Sequence, residues 1–378
     1  MANKQYENPF VFGRIASQDT FTDREKDTER LVANFTHGIN SILISPRRWG
    51  KTSLVKKAMK VAESKTLKLV YIDIFSCKSD QDFYDAYASA IISQTSSKVE
   101  DWVKAAKEFL IGVSPVVTVG PDPVNDIKLS FTWSDKKSSE KSVLNLAEEI
   151  AIKKKIDIVV CIDEFQQIAE FPDSQTFQKK LRGSWQQHHN ASYCLFGSKK
   201  HLMSGLFDSA SKPFYQFGDM MFLQKIDTAH WVPFLCEQFA KTSKSISEDL
   251  AAKVCETVEN HSSSVQQFAW NIWFLTTKEV TEDIFNAALD SLLSQNSVLY
   301  YNLIDSATEY QKNLLKALAD GVTEGFYSAE VISKYNMVTS ANVAGAVKAL
   351  IAKDILDKTG NQLSINDPVF KIWIKRNL

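Results

Sequence analysis

The segment Ser45-Pro46-Arg47-Arg48-Trp49-Gly50-Lys51-Thr52-Ser53 is where residue types and spacing first point to chemistry. It lies between a short apolar run, Ser41–Ile44, and a helical pattern that begins at Lys51 or Thr52. A loop leaving a strand and entering a helix turns its backbone N–H groups onto one point, where the helix N-terminus adds positive potential. That point suits a phosphate. Gly50 permits close approach, Lys51 can reach the β- and γ-phosphates of a nucleotide, and Thr52 can place its hydroxyl on Mg²⁺. The segment matches the P-loop pattern G-x-x-x-x-G-K-[ST] except at its first position, where Ser45 replaces glycine. If that position needs a positive φ, serine costs of order 1 kcal/mol more than glycine and weakens the loop without abolishing it. Ser45, Pro46, Arg47, Arg48, Trp49, Gly50, Lys51, Thr52 and Ser53 are the expected nucleotide cradle.

A second signal follows the β-branched run Ile156–Ile162, which ends in Asp163–Glu164. Carboxylates at the C-terminal end of a strand in an open α/β sheet stand where such sheets bind ligands. Asp163 is expected to hold Mg²⁺ through water, with Thr52 as the other metal-side residue, and Glu164 to polarise an attacking water. Taken alone, acidic residues after a strand are more often merely solvated; the pairing with the loop argues otherwise. A third apolar run, Tyr193–Phe196, leads to Gly197–Ser198. Ser198 there can sense the γ-phosphate or orient water, and can equally cap the next helix. The expected catalytic residues are Glu164, Lys51 and Ser198. Arg47, Arg48 and Arg182 are candidates for charge stabilisation, with no catalytic role assigned to the two loop arginines. Six scattered histidines form no convincing metal site, and His188–His189 reads as a helix end.

These residues need elements to hold them. The pattern predicts a helix from about Asp23 to Phe35, strands at Ser41–Ile44 and Leu69–Phe75, and a helix over Asp80–Ser93. Strand-helix alternation at this spacing signals an α/β domain with a mostly parallel sheet. Pro115 to Trp133 breaks the rhythm as two short strands around a GPDP loop with Asn125–Asp126, an antiparallel hairpin inserted in the core. Asp135–Ser142 reads as a solvated loop before a helix around Val143–Ile152. A helix over roughly Gln175–His189 separates the last two strands. After about Ile226 amphipathic helices dominate to about Ser294. Helices around Thr308–Ala319, Tyr327–Lys334 and Ala341–Lys353 then precede a ribbon, Ile355–Ile365, split at Thr359–Gly360–Asn361, the layout of a winged helix. The expected division is 1–226 for the core, 227–295 for a helical lid and 296–378 for the winged helix.

The bulk numbers bound the rest. A chain of 378 residues exceeds one ordinary core. With 44 basic and 45 acidic residues, a formal charge of -1 advertises neither nucleic acid nor an anionic membrane. The absence of a membrane-length apolar run or signal-like start, with 5 dispersed cysteines, leads to an expectation of a cytoplasmic protein with buried free thiols.

With the loop, the carboxylate pair and the winged helix in place, the chain resembles the archaeal-type ATPases of the STAND group within the AAA+ class. The resemblance spans nearly the whole chain. It rests on NPFVFGR (Asn8–Arg14), FTDRE (Phe21–Glu25), SPRRWGKTSL, IDEFQQI (Ile162–Ile168), YCLFGS (Tyr193–Ser198), PFYQFGD (Pro213–Asp219), HSSSVQQ (His261–Gln267) and DPVFKIW (Asp367–Trp373). It implies an AAA+-like P-loop NTPase core, a helical lid and a winged helix, working as a nucleotide-dependent switch. Many relatives carry Gly-Arg where this chain has Gln216–Phe217, and a Pro-aromatic segment where it has Ser262–Ser264. The expected function is slow ATP hydrolysis coupled to domain arrangement or partner binding, with ATP and Mg²⁺ as cofactors. The alternatives are a nucleotide-binding scaffold with negligible turnover and a winged-helix DNA-binding regulator. Beyond ATP/ADP, a protein partner or self-association is expected. DNA is not favoured, because basic and acidic residues nearly balance after Asn296 and Ala341–Lys353 contains no arginine; a membrane partner is not expected.

Overall fold

In a computed structural model of the chain, residues 8–14, 22–96, 98–119, 127–133 and 136–378 are described. They divide into two compact units. A sheet unit comprises Arg24–Arg47 and Lys51–Leu223; a helical unit comprises Gln224–Leu378, Arg48–Gly50 and the chain up to Asp23.

The sheet unit is built on five parallel strands: β1 (Ser41–Ile44), β2 (Leu67–Asp73), β5 (Asp157–Asp163), β6 (Ala191–Gly197) and β7 (Asp219–Phe222), in the order β2-β5-β6-β1-β7. β1 and β6 are buried along their full length, and β5 from its second residue onward. Continuous Ile, Val, Leu and Cys runs produce this, because helices cover both faces of a parallel sheet. Register sets Asp73 beside Asp163 and Ile44 beside Gly197, so the C-terminal ends of the strands open on one edge. The helices of the unit are α1 (Glu25–Thr36), α2 (Lys51–Ala62), α3 (Asp80–Thr95), α4 (Val99–Phe109), α5 (Lys136–Lys154), α6 (Ser174–Trp185) and α7 (Lys200–Phe207). Strands β3 (Val113–Val119) and β4 (Ile127–Trp133) pair antiparallel, and Trp133 at the end of β4 donates its indole N–H to Asp85 of α3 at 2.8 Å. The GPDP turn with Asn125–Asp126 lies outside the described residues. Aromatic rings fill one side of the sheet, with Trp185 stacked on Tyr193 at 4.1 Å and Phe165, Phe214 and Phe217 around them.

Some local expectations fail for physical reasons. The Lys/Ser-rich stretch is helical from Lys136 onward, and Ser139 and Ser142 face inward rather than to water. Ser139 donates to the Gly112 carbonyl at 3.0 Å, and Ser142 accepts from Ile111 N–H at 3.2 Å. Helix α4 and strand β7 have no counterpart in the sequence reading; β7 is four residues long, and only Met221 of it is buried. Helix α6 stops at Trp185, before the His188–His189 pair.

The helical unit contains α8 (Thr228–Ala240), α9 (Glu248–Thr257), α10 (Ser262–Leu275), α11 (Glu282–Asp305), α12 (Glu309–Ala319), α13 (Ala329–Lys334), α14 (Ser340–Ala352), the ribbon β8 (Leu356–Thr359) and β9 (Gln362–Ile365), and α15 (Pro368–Asn377). Side-chain caps start these helices where the sequence supplies them. Ser247, Thr281, Ser328, Thr339 and Asp367 each accept from a first-turn N–H, and Thr308 with Gln311 forms a reciprocal capping box. Helix α11 runs unbroken through positions 295 and 296. One apolar core extends from Phe10 and Trp231 to Tyr300, Phe370 and Trp373. The loop tip Arg48–Gly50 belongs to this unit: Ser263 N–H, in the first turn of α10, donates to the Arg48 carbonyl at 3.3 Å, and Lys225 lies 5.9 Å from the Trp49 ring.

Candidate functional site

The end of β1 delivers Ser45 into the loop, and α2 begins at Lys51. Ser45 does not carry the left-handed conformation that glycine would relieve. The positive angles of the loop fall at Arg48 (φ 64) and Gly50 (φ 89). The conditional cost attached to Ser45 therefore does not arise; its buried hydroxyl donates to the Pro46 carbonyl at 2.9 Å. Arg47 and Arg48 are exposed, and Pro46, Trp49, Gly50, Thr52 and Ser53 are partly buried.

Lys51 is buried, not extended into water. Its Nζ lies 3.4 Å from Glu164 Oε1 and 3.9 Å from Asp163 Oδ1. Thr52 Oγ1 donates to Asp163 Oδ2 at 2.8 Å. Strand β5 ends at Asp163, and Glu164 turns left-handed (φ 55) before a 3₁₀ helix, Phe165–Glu170. Such a conformation is uncommon for a non-glycine residue and clusters at functional sites. Ser198, just past β6, donates to Glu164 Oε2 at 2.8 Å. Ser198 is not a helix cap, since Lys199 occupies the cap position of α7. The structure thus gathers Lys51, Thr52, Asp163, Glu164 and Ser198 into one cluster. Arg182 stands apart from it, its guanidinium lying 4.9 Å over the ring of buried Phe217.

The two carboxylates are tuned in opposite directions. Burial pushes the Asp163 carboxyl above its usual range, with Lys51 and Thr52 opposing it only in part. Burial also pushes Glu164 up, but Lys51, Gln166 and Ser198 together outweigh it and hold Glu164 below its usual range. Glu164 is therefore the anion the site maintains. Asp163 is the carboxylate that gains most from a further cation. Thr52 Oγ1 and Asp163 supply hard oxygen donors of the kind Mg²⁺ takes when phosphate oxygens and waters complete its shell. Among the described residues no group of three or more His, Cys, Asp or Glu side chains could hold a metal unaided.

Two participants escaped the sequence. Tyr71 on β2 donates its hydroxyl to Asp163 Oδ2 at 3.1 Å, and Gln166 donates its amide to Glu164 Oε2. Tyr71 sits in an ordinary strand pattern, and only the β2–β5 pairing brings it to Asp163. Gln166 had a signal in IDEFQQI, but nothing in that string says which glutamine faces the carboxylate.

A family model described as a probable winged helix domain matches residues 298–376. None of the curated proteins matches the chain. Among solved structures, a Walker-type ATPase of Pyrococcus abyssi superposes with a TM-score of 0.66 at 15% identity, covering 97% of this chain and 99% of its own. The ORC2 protein of Aeropyrum pernix, solved as ADPNP–ADP complexes, superposes with a TM-score of 0.50 at 14% identity, covering 98% of each chain. The chain shares the fold of these structures: a parallel α/β core followed by helices and a C-terminal winged helix. Among the described residues no helix is long and apolar enough to cross a membrane.

Proposed function

We propose that the chain binds ATP with Mg²⁺ and hydrolyses it slowly, as a STAND-type switch that couples nucleotide state to domain arrangement or to a protein partner. The observation that carries this reading is the Lys51–Glu164–Asp163–Thr52 cluster at the mouth of a strand–loop–helix. It unites a phosphate-reaching cation, a held carboxylate and two hard oxygen donors. Lys51 and the loop N–H groups, Ser45 through Ser53, bind phosphates. Thr52 and Asp163 would hold Mg²⁺, which would supply positive charge against the charge that develops on the phosphate. Glu164 polarises the attacking water, and Ser198 orients Glu164. Phe217, buried where many relatives carry an arginine, supports slow turnover, since loss of an arginine finger costs about 10³–10⁵ in rate. That same observation favours a second reading, a nucleotide-binding scaffold with negligible turnover.

In this reading 1–226 is the core, 227–295 the lid and 296–378 the winged helix. Exposed Val298, Leu299 and Tyr301 on α11 favour a protein partner or self-association. Free, mostly buried cysteines are in keeping with a reducing cytoplasm. Phosphate release from ATP, measured for the chain and for Glu164→Gln, tests the proposal. Turnover that disappears in the variant supports the switch; no turnover in the parent favours the scaffold; equal turnover in both removes Glu164 from its role.

A further inference from the structure

We propose that Gln166 is a further positioning residue for Glu164 beside Ser198, fixing one carboxylate oxygen so that the other can serve the water; this rests on the ATPase reading above. The two oxygens of Glu164 have different partners. Oε1 faces Lys51 at 3.4 Å, while Oε2 accepts from Ser198 at 2.8 Å and from the Gln166 amide. Lys51 is the partner that a phosphate draws away, and its departure leaves Oε1 free to accept from water. The donors on Oε2 are neutral and have no reason to follow. The left-handed turn at Glu164 starts the 3₁₀ helix that carries Gln166 and brings its amide back to the carboxylate.

Packing gives the donor of the Gln166 amide a partner and its acceptor none. Gln166 is 2% exposed, and its Oε1 has no hydrogen-bond partner. A buried orphan acceptor is costly, and an apolar side chain of the same length would suit the fold better. The neighbouring strand is also shaped around this amide. A Cβ on Gly197 would lie 1.8 Å from Gln166 Oε1 and 2.9 Å from Met203 Sδ, so any side chain there would have to displace the amide from this position. Ser198, the next residue, supplies the second donor to the same oxygen.

The test is steady-state ATP hydrolysis by the full chain, with Gln166→Met, Gln166→Glu and the control Glu164→Gln. Methionine keeps the length, removes the donor and removes the orphan acceptor. It should lower kcat roughly 10- to 100-fold, leave KM for ATP and affinity for a fluorescent ATP analogue within about twofold, and leave Tm equal or higher. Gln166→Glu has the same shape but presents an acceptor where the donor was. It should lose at least as much kcat, and it reports alone if the methionine variant does not fold. Parental kcat in the folded variants, beside an inactive Glu164→Gln, would overturn this assignment and leave the ATPase reading standing. A fall in kcat matched by weaker analogue binding and a lower Tm would make Gln166 merely structural and overturn it too. No turnover in the parent would overturn both.

Discussion

Lys51 Nζ and Glu164 Oε1 stand 3.4 Å apart, so the ammonium at the start of α2 and the carboxylate just past β5 partner each other across the strand ends. Asp163 lies 3.9 Å from the same ammonium. A buried and a partly buried carboxylate thus share one cation.

Lys51→Ala should therefore destabilise the chain as well as weaken nucleotide binding. Removing one partner of a buried ion pair leaves the other uncompensated, at roughly 3 kcal/mol when the site cannot relax. Urea unfolding at neutral pH should show the loss, and adding Glu164→Gln should recover part of it. Equal stability of the parent and Lys51→Ala would mean that water already compensates the carboxylates.

Asp163→Asn should cut Mg²⁺-dependent nucleotide affinity at least about tenfold, since the amide carries no charge for the cation. Affinity measured without Mg²⁺ should hold. Tyr71→Phe deletes one donor to Asp163 Oδ2 and should have a smaller effect of the same kind, about two- to fivefold for one hydrogen bond. Parental Mg²⁺ dependence in Tyr71→Phe would make that hydrogen bond a passive one.

His188 gives the sheet unit a pH dependence. Its Nδ1 lies 2.8 Å from the Tyr193 hydroxyl and its Nε2 lies 3.2 Å from Asn145 Oδ1, a pairing that suits the neutral ring. Burial lowers its pKa to about 4, with Glu148 opposing. Between that value and the ordinary value of 6.5 the unfolded chain binds a proton that the folded chain does not. Stability is accordingly full above about pH 6.5 and declines as pH falls toward about 4. The ceiling is roughly 3 kcal/mol, reduced to about 1–2 by solvent access. Unfolding free energies at about pH 5 and about pH 7.5 should differ by that much in the parent and by less in His188→Gln. The same difference in both would assign the pH effect to other groups.

The winged helix should bind duplex DNA only weakly. Val343, Ala346, Val347 and Leu350 of α14 are buried, and Ser340, Ala341, Ala344, Gly345, Lys348 and Ala352 are its exposed residues. One lysine among small residues gives neither a phosphate-releasing surface nor an arginine for guanine. Titration of the full chain with random-sequence duplex at physiological salt should give affinity weaker than about micromolar. Submicromolar binding with a steep salt slope would make DNA the partner.

The sheet was legible because buried parallel strands are written as unbroken apolar runs, and β1, β5 and β6 are such runs. The helices around Thr308–Ala319 and Tyr327–Lys334 were legible as well, while their caps at Thr308–Gln311 and Ser328, short-range as they are, were not singled out. What escaped depends on contacts distant in sequence. Strand β7 exists by pairing with β1, not by its own pattern, and the serines of Lys136–Ser142 are helical because Gly112 and Ile111 meet them. In the site, motif spacing was enough to nominate Lys51, Thr52, Asp163 and Glu164. The loop's left-handed positions proved to be Arg48 and Gly50 and not Ser45, and no motif encodes the one at Arg48. Tyr71 enters only once β2 and β5 are set side by side, and Gln166 only once the left-handed turn at Glu164 folds its amide back onto the carboxylate.

The central claim is that the Ser45–Ser53 loop holds the phosphates of ATP, and equilibrium titration with a fluorescent ATP analogue in Mg²⁺ tests it most directly. The parent should bind saturably, and Lys51→Ala, measured at a temperature where it is folded, should lose roughly 30-fold or more of that affinity, about 2 kcal/mol for one buried charge-assisted contact to phosphate. Equal affinity in the two folded proteins, or no binding by the parent, would contradict the account.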